Sequence, residues 1–258
     1  MLNAIVDIVT QTQNMIVSTH DFHITDKPGH ANYVTDIDVK VQAHLKQRLL
    51  ELLPGSDFIG EEQQNQALSD RPTWVVDPVD GTTNLLRGRC YSAVSVALLE
   101  GGEPRLACVY NPFTDEIYTA EKGNGAFLNG RPIHVSQLPL EKALISMGTS
   151  PYRPELAKPG MTLALDFLSC ASDLRRTGSA ALELAELACG RHEVYYELSL
   201  YPWDVAAGAL LVTEAGGVFS MPLCKKAQFN ERAAVLATNQ ACAEEALALF
   251  MRRMSGKA

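Results

Sequence analysis

The segment Trp74–Asn84 carries the side chains best suited to chemistry. It reads WVVDPVDGTTN, so a short apolar stretch ends in two carboxylates, Asp77 and Asp80, followed by a glycine, two hydroxyls and an amide. Pro78 fixes its own φ and removes a backbone donor, so we expect a sharp turn there. Such a turn would bring both carboxylates and the Val79 carbonyl to one point. Oxygen ligands of this kind are those that Mg²⁺ prefers.

The residues after these carboxylates are suited to holding a phosphate group. Gly81 lets the backbone approach a ligand closely, and the amides of Gly81, Thr82 and Thr83 would open a turn or a helix. Backbone N–H groups in such a position attract anions. From the residues alone a simpler interpretation stays open, because Asp and Gly also form ordinary turns at strand ends.

Two further acidic segments repeat the pattern of a carboxylate after an apolar stretch. Upstream, Glu61 and Glu62 follow Ile59 and a glycine, and downstream Asp204 follows Trp203. Taken alone, the upstream acids would be a surface charge pair and Asp204 would be the N-cap of an apolar helix. A carboxylate at a helix start also serves as a metal ligand, and the two roles are compatible.

Together these segments resemble the inositol monophosphatase family, the lithium-sensitive sugar phosphatases, over nearly the whole chain. The resemblance also rests on GSAA from Gly178, on Glu197, on the stretch Trp203–Gly208 and on EAGG from Glu214. It implies the sugar-phosphatase fold, a layered α/β/α/β/α sandwich of the α/β (α+β) class. It further implies a cytoplasmic, homodimeric phosphoric monoester hydrolase that uses two or three Mg²⁺ ions.

The resemblance assigns the Mg²⁺ ligands to four carboxylates and one backbone carbonyl. These ligands are Glu61, Asp77, Val79, Asp80 and Asp204. Asp77 would bridge two ions, while Glu61 would bind the first ion and Asp204 the second. Several oxygen donors from three distant segments are what a cluster of hard cations requires.

The catalytic residues implied by the resemblance are Thr82, Asp38 and Glu61. Thr82 resembles the family threonine that orients the attacking water, and Asp38 resembles its carboxylate partner. With Glu61 they would position and deprotonate a water whose pKa a metal ion has lowered. In-line attack on phosphorus would then need no phosphoenzyme.

Substrate contacts also come from the resemblance. It assigns phosphate and substrate binding to Gly81, Thr82, Thr83, Gly178, Ser179, Ala180, Glu197 and Asp204. Glu197 would bind sugar or inositol hydroxyls, and the residues from Gly178 to Ala180 would pack against the ring. Lys27 falls near the active-site loop of the family, although a surface lysine is an equal alternative. Arg175 and Arg176 could meet an anion, but a salt bridge in a substrate loop or dimer surface is favoured.

One departure from the family leaves the substrate open. After Asn84 the chain reads LLRG, where many relatives have an aromatic residue and a histidine before the glycine. The predicted reaction is Mg²⁺-dependent hydrolysis of a phosphate monoester, with myo-inositol monophosphate the favoured substrate. The alternatives are a fructose-1,6-bisphosphatase or another sugar or nucleotide phosphatase, and, from another class, a regulatory protein that binds the transcription machinery.

Composition limits the possible partners. The chain has 258 residues, of which 47% are hydrophobic, and 30 acidic against 22 basic residues give a net charge of −8. Such a chain is long and apolar enough for a substantial core, and its charge argues against nucleic-acid and membrane surfaces. The expected ligand is instead a small phosphorylated polyol or sugar. The six cysteines lie beside small or apolar residues and are predicted to be buried reduced thiols.

The elements that must position these residues divide the chain near residue 135. Residues 1–135 are predicted to hold two helices, 2–17 and 38–53, an antiparallel meander and most metal ligands. In the second helix the inward residues are predicted to be Val39, Val41, Leu45, Leu49, Leu50 and Leu53. Residues 136–258 alternate strands and helices, which predicts an α/β half with some parallel pairing that supplies Asp204 and substrate contacts.

Overall fold

The computed structural model describes residues 1–18, 23–26, 33–64, 66–225 and 227–255, and Lys27 lies outside these ranges. In this part of the chain the α-helices are α1 (Leu2–Thr10), α2 (Gln13–Val17), α3 (Asp36–Leu52), α4 (Thr82–Leu86), α5 (Ala157–Leu168), α6 (Ala180–Ala188), α7 (Pro202–Glu214) and α8 (Ala243–Met254). The strands are β1 (Ile24–Asp26), β2 (Tyr33–Thr35), β3 (Asp57–Gly60), β4 (Thr73–Asp80), β5 (Ala93–Glu100), β6 (Glu103–Asn111), β7 (Glu116–Glu121), β8 (Gly125–Leu128), β9 (Arg131–Ile133), β10 (Leu144–Met147), β11 (Asp173–Arg175), β12 (Val194–Leu200), β13 (Val218–Ser220) and β14 (Ala233–Thr238).

Two large sheets alternate with three helical layers. The seven-stranded sheet has the order β3-β4-β5-β6-β7-β8-β9, and the five-stranded sheet has the order β11-β10-β12-β14-β13. Helices α1 and α3 cover the outer face of the first sheet, α6 and α7 fill the space between the sheets, and α5 and α8 cover the outer face of the second. The predicted α/β/α/β/α sandwich is confirmed.

The strands supply apolar side chains to both faces of each sheet. On β4, Trp74 and Val76 pack towards α1 and α3, whereas Val75 packs towards α6 and α7. On β12, Tyr195 joins the middle core and Tyr196 joins the outer one. Successive strand residues point to opposite faces, so a strand covered on both sides reads as a continuous apolar run.

Strand pairing follows the expected pattern in both sheets. The antiparallel meander runs from β4 to β9, with β3 added parallel to β4 at the edge. In the second sheet β10 pairs in parallel with β11 and β12, as the strand–helix alternation predicts. The last strand of the first sheet ends before residue 135, and the first strand of the second sheet begins after it. We therefore propose 1–135 and 136–258 as the two halves of the molecule. Both halves contribute side chains to the middle core.

The long helix α3 begins with a capping box. The Thr35 hydroxyl accepts the N–H of Ile37 at 3.2 Å, and the Asp38 carboxylate accepts the N–H of Thr35 at 2.8 Å. The helix therefore begins at Asp36 rather than at residue 38. The inward prediction is wrong for Val39, which is 53% exposed. Successive residues of a helix are rotated by about 100°, so Val39 points to nearly the opposite side from the buried Val41.

Two other sequence predictions are corrected by the structure. The predicted helix 2–17 is divided into α1 and α2, and the buried hydroxyl of Thr12 donates to the Val9 carbonyl at 2.6 Å where they meet. The cysteines are free thiols, but Cys90, Cys170 and Cys224 are exposed. These three residues lie in turns and bends, and some of their apolar neighbours, such as Leu168 and Leu223, are exposed with them. No helix in the described ranges has the length and apolar character needed to cross a bilayer.

Candidate active site

A bulge in β4 brings two carboxylates to the same side of the sheet. Asp77 and Asp80 are three positions apart, which in a regular strand places them on opposite faces. Here Asp77 lies opposite Ser95 and Asp80 opposite Ala93, so β4 contains one residue more than β5 over this interval. The extra residue, beside Pro78, returns both carboxylates to one face. The expected sharp turn is thus a bulge inside a strand that continues to Asp80.

A third carboxylate reaches this pair from the second half of the chain. One oxygen atom from each of Asp77, Asp80 and Asp204 lies within 4.8 Å of the other two. Asp204 is in the first turn of α7, where its carboxylate accepts the N–H of Tyr201 at 2.7 Å. Tyr201, not Asp204, is the N-cap, because α7 begins at Pro202 and Asp204 is the third residue of the helix.

The two other predicted ligands line the same cleft. Glu61 follows β3, and its negative charge contributes to raising the pKa values of the three clustered aspartates. Val79 is buried beside them, and its carbonyl accepts the Thr82 hydroxyl at 3.1 Å. The structure therefore gathers all five predicted ligand residues, although Glu61 lies outside the compact group of three. Their roles as metal ligands stay predictions.

The carboxylates of this cluster are buried close together, and their negative charges repel one another. Burial raises the pKa of Asp77 and of Asp204 well above the usual range, and repulsion from neighbouring acids raises both further. Burial also raises the pKa of Asp80 to about 7. Hydrogen bonds from the Ser179 hydroxyl at 2.7 Å and the Ala181 N–H at 2.6 Å oppose that rise. Buried, mutually repelling oxygen donors are a set that fits a hard divalent cation.

Thr82 and Asp38, predicted as partners, are in contact. The Thr82 hydroxyl lies 3.0 Å from one Asp38 oxygen, and the other oxygen accepts the N–H of Thr35. Asp38 is fully buried, and this burial raises its pKa. Because the hydroxyl donates its only hydrogen bond to Asp38 or to the Val79 carbonyl, its lone pairs are left to accept a hydrogen bond from a third group in the cleft.

Gly81 shapes the turn that follows the cluster. Its φ of 93° lies in the left-handed region. A Cβ there would also come within 3.2 Å of the carbonyl oxygens of Gly178 and Tyr91. Helix α4 begins directly after Gly81, and the first N–H groups of a helix have no partner within it. The amides of Gly81, Thr82 and Thr83 consequently start a helix at the cleft, as predicted.

The predicted wall from Gly178 to Ala180 lines the cleft. Ser179 is the N-cap of α6, where its hydroxyl accepts the N–H of Leu182 at 3.4 Å while it donates to Asp80. The wall is therefore tied directly to the carboxylate cluster. Arg175, in contrast, pairs with Asp173 at 2.5 Å in an exposed salt bridge within β11, whereas Arg176 lines the cleft. A place for either arginine in a dimer surface stays a prediction.

Glu197 is buried and firmly held at the far side of the cleft. One of its oxygens accepts the N–H of Ser150 at 2.6 Å, and the other accepts the Tyr195 hydroxyl at 2.9 Å. A Cβ on Gly148 would stand only 1.7 Å from the second oxygen. Gly148 is thus a site residue that sequence reasoning missed, and its position just after β10 is its only signal.

The cleft is open to solvent and is lined by residues from both halves of the chain. The lining also includes Met147, Pro151, Tyr152, Tyr195, Leu200 and Tyr201, none of which was a predicted site residue. They lie in or after strands of the second sheet, and no local motif distinguishes them. Their place in the site follows from how the two sheets face each other.

Comparisons with known proteins agree with this geometry. The model of the inositol monophosphatase family matches residues 3–255. An inositol monophosphatase of Dictyostelium discoideum is 37% identical, with 90% of this chain and 88% of that protein covered. A Nus factor SuhB of Xylella fastidiosa is 41% identical, with coverages of 76% and 70%. The solved inositol monophosphatase of Thermotoga maritima superposes with a TM-score of 0.89 at 27% identity, covering 98% of both chains. The chain belongs to the inositol monophosphatase family and is a phosphoric monoester hydrolase.

Proposed function

We propose that this enzyme hydrolyses the phosphate monoester of a small polyol, myo-inositol monophosphate before others, in a Mg²⁺-dependent reaction with water as the nucleophile. The observation that carries the proposal is the convergence of Asp77, Asp80 and Asp204 within 4.8 Å in a cleft lined by both halves of the chain. Carboxylates that repel one another in a buried cleft attract divalent cations, and cations in turn attract a phosphate dianion. This resolves how an acidic protein binds an anion.

Two or three Mg²⁺ ions would be held by Glu61, Asp77, Asp80, Asp204 and the Val79 carbonyl. When bound, Mg²⁺ supplies Lewis acidity, which lowers the pKa of a nearby water and offsets phosphoryl charge. A solved relative described as an IMPase/NADP phosphatase is complexed with NADP and Ca²⁺, at 25% identity and a TM-score of 0.86. That complex supports a divalent cation at this site.

The chain itself would orient and deprotonate the attacking water. Thr82 donates towards Asp38 or Val79, so its lone pairs would accept a hydrogen bond from one O–H of the water and fix its direction, and that proton would stay on the water oxygen. Glu61, which lines the same cleft, would accept the other proton. In this scheme no side chain becomes covalently attached to phosphorus.

Phosphate and polyol would be bound by opposite sides of the cleft. The amides of Gly81, Thr82 and Thr83 would donate to phosphate oxygens, while Asp204 and Glu197 would accept from hydroxyls of the polyol. The wall Gly178–Ala180 would pack against the ring. Glu197 suits this role because Ser150 and Tyr195 hold its carboxylate in one orientation.

A substrate panel assayed with Mg²⁺, with and without Li⁺, tests this proposal. Inositol monophosphate should be hydrolysed faster than fructose 1,6-bisphosphate, other sugar phosphates and nucleotide 3′-phosphates, and Li⁺ should inhibit. Asp80→Asn should abolish phosphate release, whereas Asp173→Asn, an exposed control, should leave it unchanged. Full turnover by Asp80→Asn would overturn the metal assignment.

A second candidate function is supported by one of the comparisons. Because a relative that is 41% identical is named a Nus factor, we also consider that the protein binds the transcription machinery. A purely regulatory role would survive Asp80→Asn and fail with a surface substitution. Retained transcriptional function in that inactive variant separates the two activities.

A cytoplasmic location and a homodimer complete the proposal. The side chains of Met161, Leu165 and Leu168 are exposed along one face of α5, and Leu165 is 65% exposed. An apolar stripe of this kind is a surface that a second copy would cover. No membrane or nucleic-acid partner is proposed, given the acidic composition.

A further inference from the structure

A second group of side chains whose types can bind metals lies outside the predicted ligand set. Glu183 and Glu186 stand one turn apart on α6, and His192 lies two residues before β12. One carboxylate oxygen of each glutamate and one ring nitrogen of His192 lie within 4.8 Å of one another. The Mg²⁺ cluster proposed above uses none of these three residues.

His192 points an unsatisfied nitrogen into this group. The residue is 3% exposed, and its Nε2 has no hydrogen-bond partner among the residues that the structure describes. The backbone of Glu183 forms a hydrogen bond with the ring, and because Nε2 is the unpartnered nitrogen, we assign that bond to Nδ1 as donor, which leaves the lone pair on Nε2. Burial lowers the pKa of His192 to about 3, which keeps the imidazole neutral, the form that binds metals.

His192 and Glu183 stand slightly farther apart than two tetrahedral ligands of one ion. Nε2 lies 3.9 Å from Oε2 of Glu183, too far for a hydrogen bond. Zn²⁺ binds nitrogen and carboxylate oxygen at about 2.0–2.2 Å in tetrahedral sites, which places two ligand atoms about 3.4 Å apart, so a small side-chain shift would bring both onto one ion. A lone pair facing a carboxylate is a repulsive arrangement that a cation between them would relieve.

The two glutamates keep free lone pairs although they already accept hydrogen bonds. Oε1 of Glu183 accepts from the N–H of Thr177 at 3.3 Å and from its hydroxyl. Glu186 accepts from the Tyr91 hydroxyl at 3.0 Å and from Arg191 at 3.2 Å. A carboxylate has about four lone-pair sites, so each can also bind an ion.

Negative charge exceeds positive charge in this group. Arg191 bonds to both Glu116 and Glu186, so one guanidinium is shared by two carboxylates. Glu183 is buried beside the ring of His192. A doubly charged ion would add positive charge next to both glutamates of the group.

We propose that Glu183, Glu186 and His192 bind a divalent transition-metal ion of the Zn²⁺ class, at a site separate from the Mg²⁺ cluster. The imidazole nitrogen selects against Mg²⁺, which prefers oxygen ligands and retains its waters. The ion would stabilise the position of the wall Gly178–Ala180 at the cleft. Glu183 holds Thr177, whose carbonyl accepts the Asn84 amide at 3.0 Å, directly before Gly178.

Zinc binding by the full-length protein tests the site without any activity assay. With millimolar Mg²⁺ filling the catalytic cluster, the wild type should retain one Zn²⁺ per chain after gel filtration, and its Tm should rise. X-ray absorption of the zinc should show one imidazole among oxygen ligands. His192→Phe and Glu186→Gln should each weaken zinc affinity by at least roughly 100-fold and abolish the Tm shift.

Two controls separate this site from the catalytic cluster. His134→Gln, which removes an exposed histidine elsewhere, and Asp204→Asn, which damages the proposed Mg²⁺ site, should both retain the zinc. Glu186 is only half-buried, so its Gln variant should keep the wild-type circular dichroism spectrum and report on binding rather than folding. Absence of retained zinc in the wild type, retention by folded Glu186→Gln, or loss from Asp204→Asn would each overturn the proposal.

Discussion

At the scale of the residue, the chemistry of the cleft depends on how ordinary groups are partnered. Thr82 differs from its neighbour Thr83 because its hydroxyl lies within reach of Asp38 and the Val79 carbonyl. Asp38 in turn is oriented by the capping box that begins α3. A bond that starts a helix therefore also positions a proposed catalytic hydroxyl 44 residues further along the chain.

Thr82→Val tests that role, because it keeps the shape of the side chain and removes the hydroxyl. We expect kcat to fall about 10²- to 10³-fold while KM changes little, since a water-orienting group acts mainly in the transition state. Thr82→Ser should restore most of kcat. Steady-state kinetics with Mg²⁺ provide the measurement, and a valine variant with wild-type kcat would exclude this role.

At the scale of the element, the site depends on the close packing of α6 and α7 between the sheets. These helices carry Ser179 and Asp204 to the carboxylate cluster. The two helices pack tightly at Gly208, where a Cβ added to the glycine would lie 2.5 Å from the side chain of Leu184. A glycine inside an apolar helix, normally unfavourable, is here required by the neighbouring helix.

Gly208→Ala should therefore destabilise the fold by about 1–3 kcal/mol through overpacking. Gly160→Ala is the matched control, because Gly160 is also inside a helix but a Cβ there would meet Leu198 at an ordinary 3.6 Å. That variant should be neutral or more stable by up to about 1 kcal/mol, from helix propensity. Urea denaturation measures both, and equal stability of the two variants would refute the packing argument.

At the scale of the whole molecule, uncompensated charge in the cleft should make the metal-free protein sensitive to pH. The folded-state pKa values of Asp77, Asp80 and Asp204 are raised above the value of 3.8 for an unperturbed Asp. Below pH 3.8 these carboxyl groups are protonated in both the folded and the unfolded state, so they do not make the free energy of unfolding depend on pH. Above it the native state binds more protons than the unfolded state, so the free energy of unfolding falls as pH rises through the folded pKa values.

We therefore expect metal-free protein to be less stable at about pH 8.5 than at about pH 6.5, by on the order of 1 kcal/mol or more. His192, with its lowered pKa, acts in the opposite sense only below its ordinary value of 6.5, outside this window. Urea denaturation in EDTA measures the difference. Mg²⁺ should restore stability at the higher pH, and Asp204→Asn should reduce the slope. Rising stability with pH in EDTA would contradict the electrostatic description.

The exposed stripe of α5 gives a prediction about assembly. Leu165→Glu places a charge in the middle of the stripe formed by Met161, Leu165 and Leu168 and should convert the proposed homodimer into a monomer. Sedimentation velocity measures the change. Glu244→Gln, on α8 outside the stripe, should leave the dimer intact. A dimer that persists in Leu165→Glu would place the interface elsewhere.

The sequence by itself determined the chemistry and most of the elements. Carboxylates, glycines and hydroxyls at short spacing identified the Trp74–Asn84 segment, and apolar periodicity located most of the helices and strands, because both signals are local. The apolar pattern identifies the buried face of a helix only when each residue is placed at its own angle around the axis. Val39 was predicted to be buried because it is apolar, although its angle places it on the exposed face. The strands β1, β2, β8, β9 and β13 have only three or four residues each, which gives a weak periodic signal.

Only the tertiary structure decided which distant groups meet. The bulge at Pro78, the closeness of Asp204 to Asp77, and the place of Gly148 against Glu197 all depend on sheet order and helix packing. The same is true of the unsatisfied nitrogen of His192, which a sequence presents as one histidine among six. Contacts between segments far apart in the chain depend on how complementary surfaces pack, and that information is distributed over the whole molecule rather than held in any local pattern.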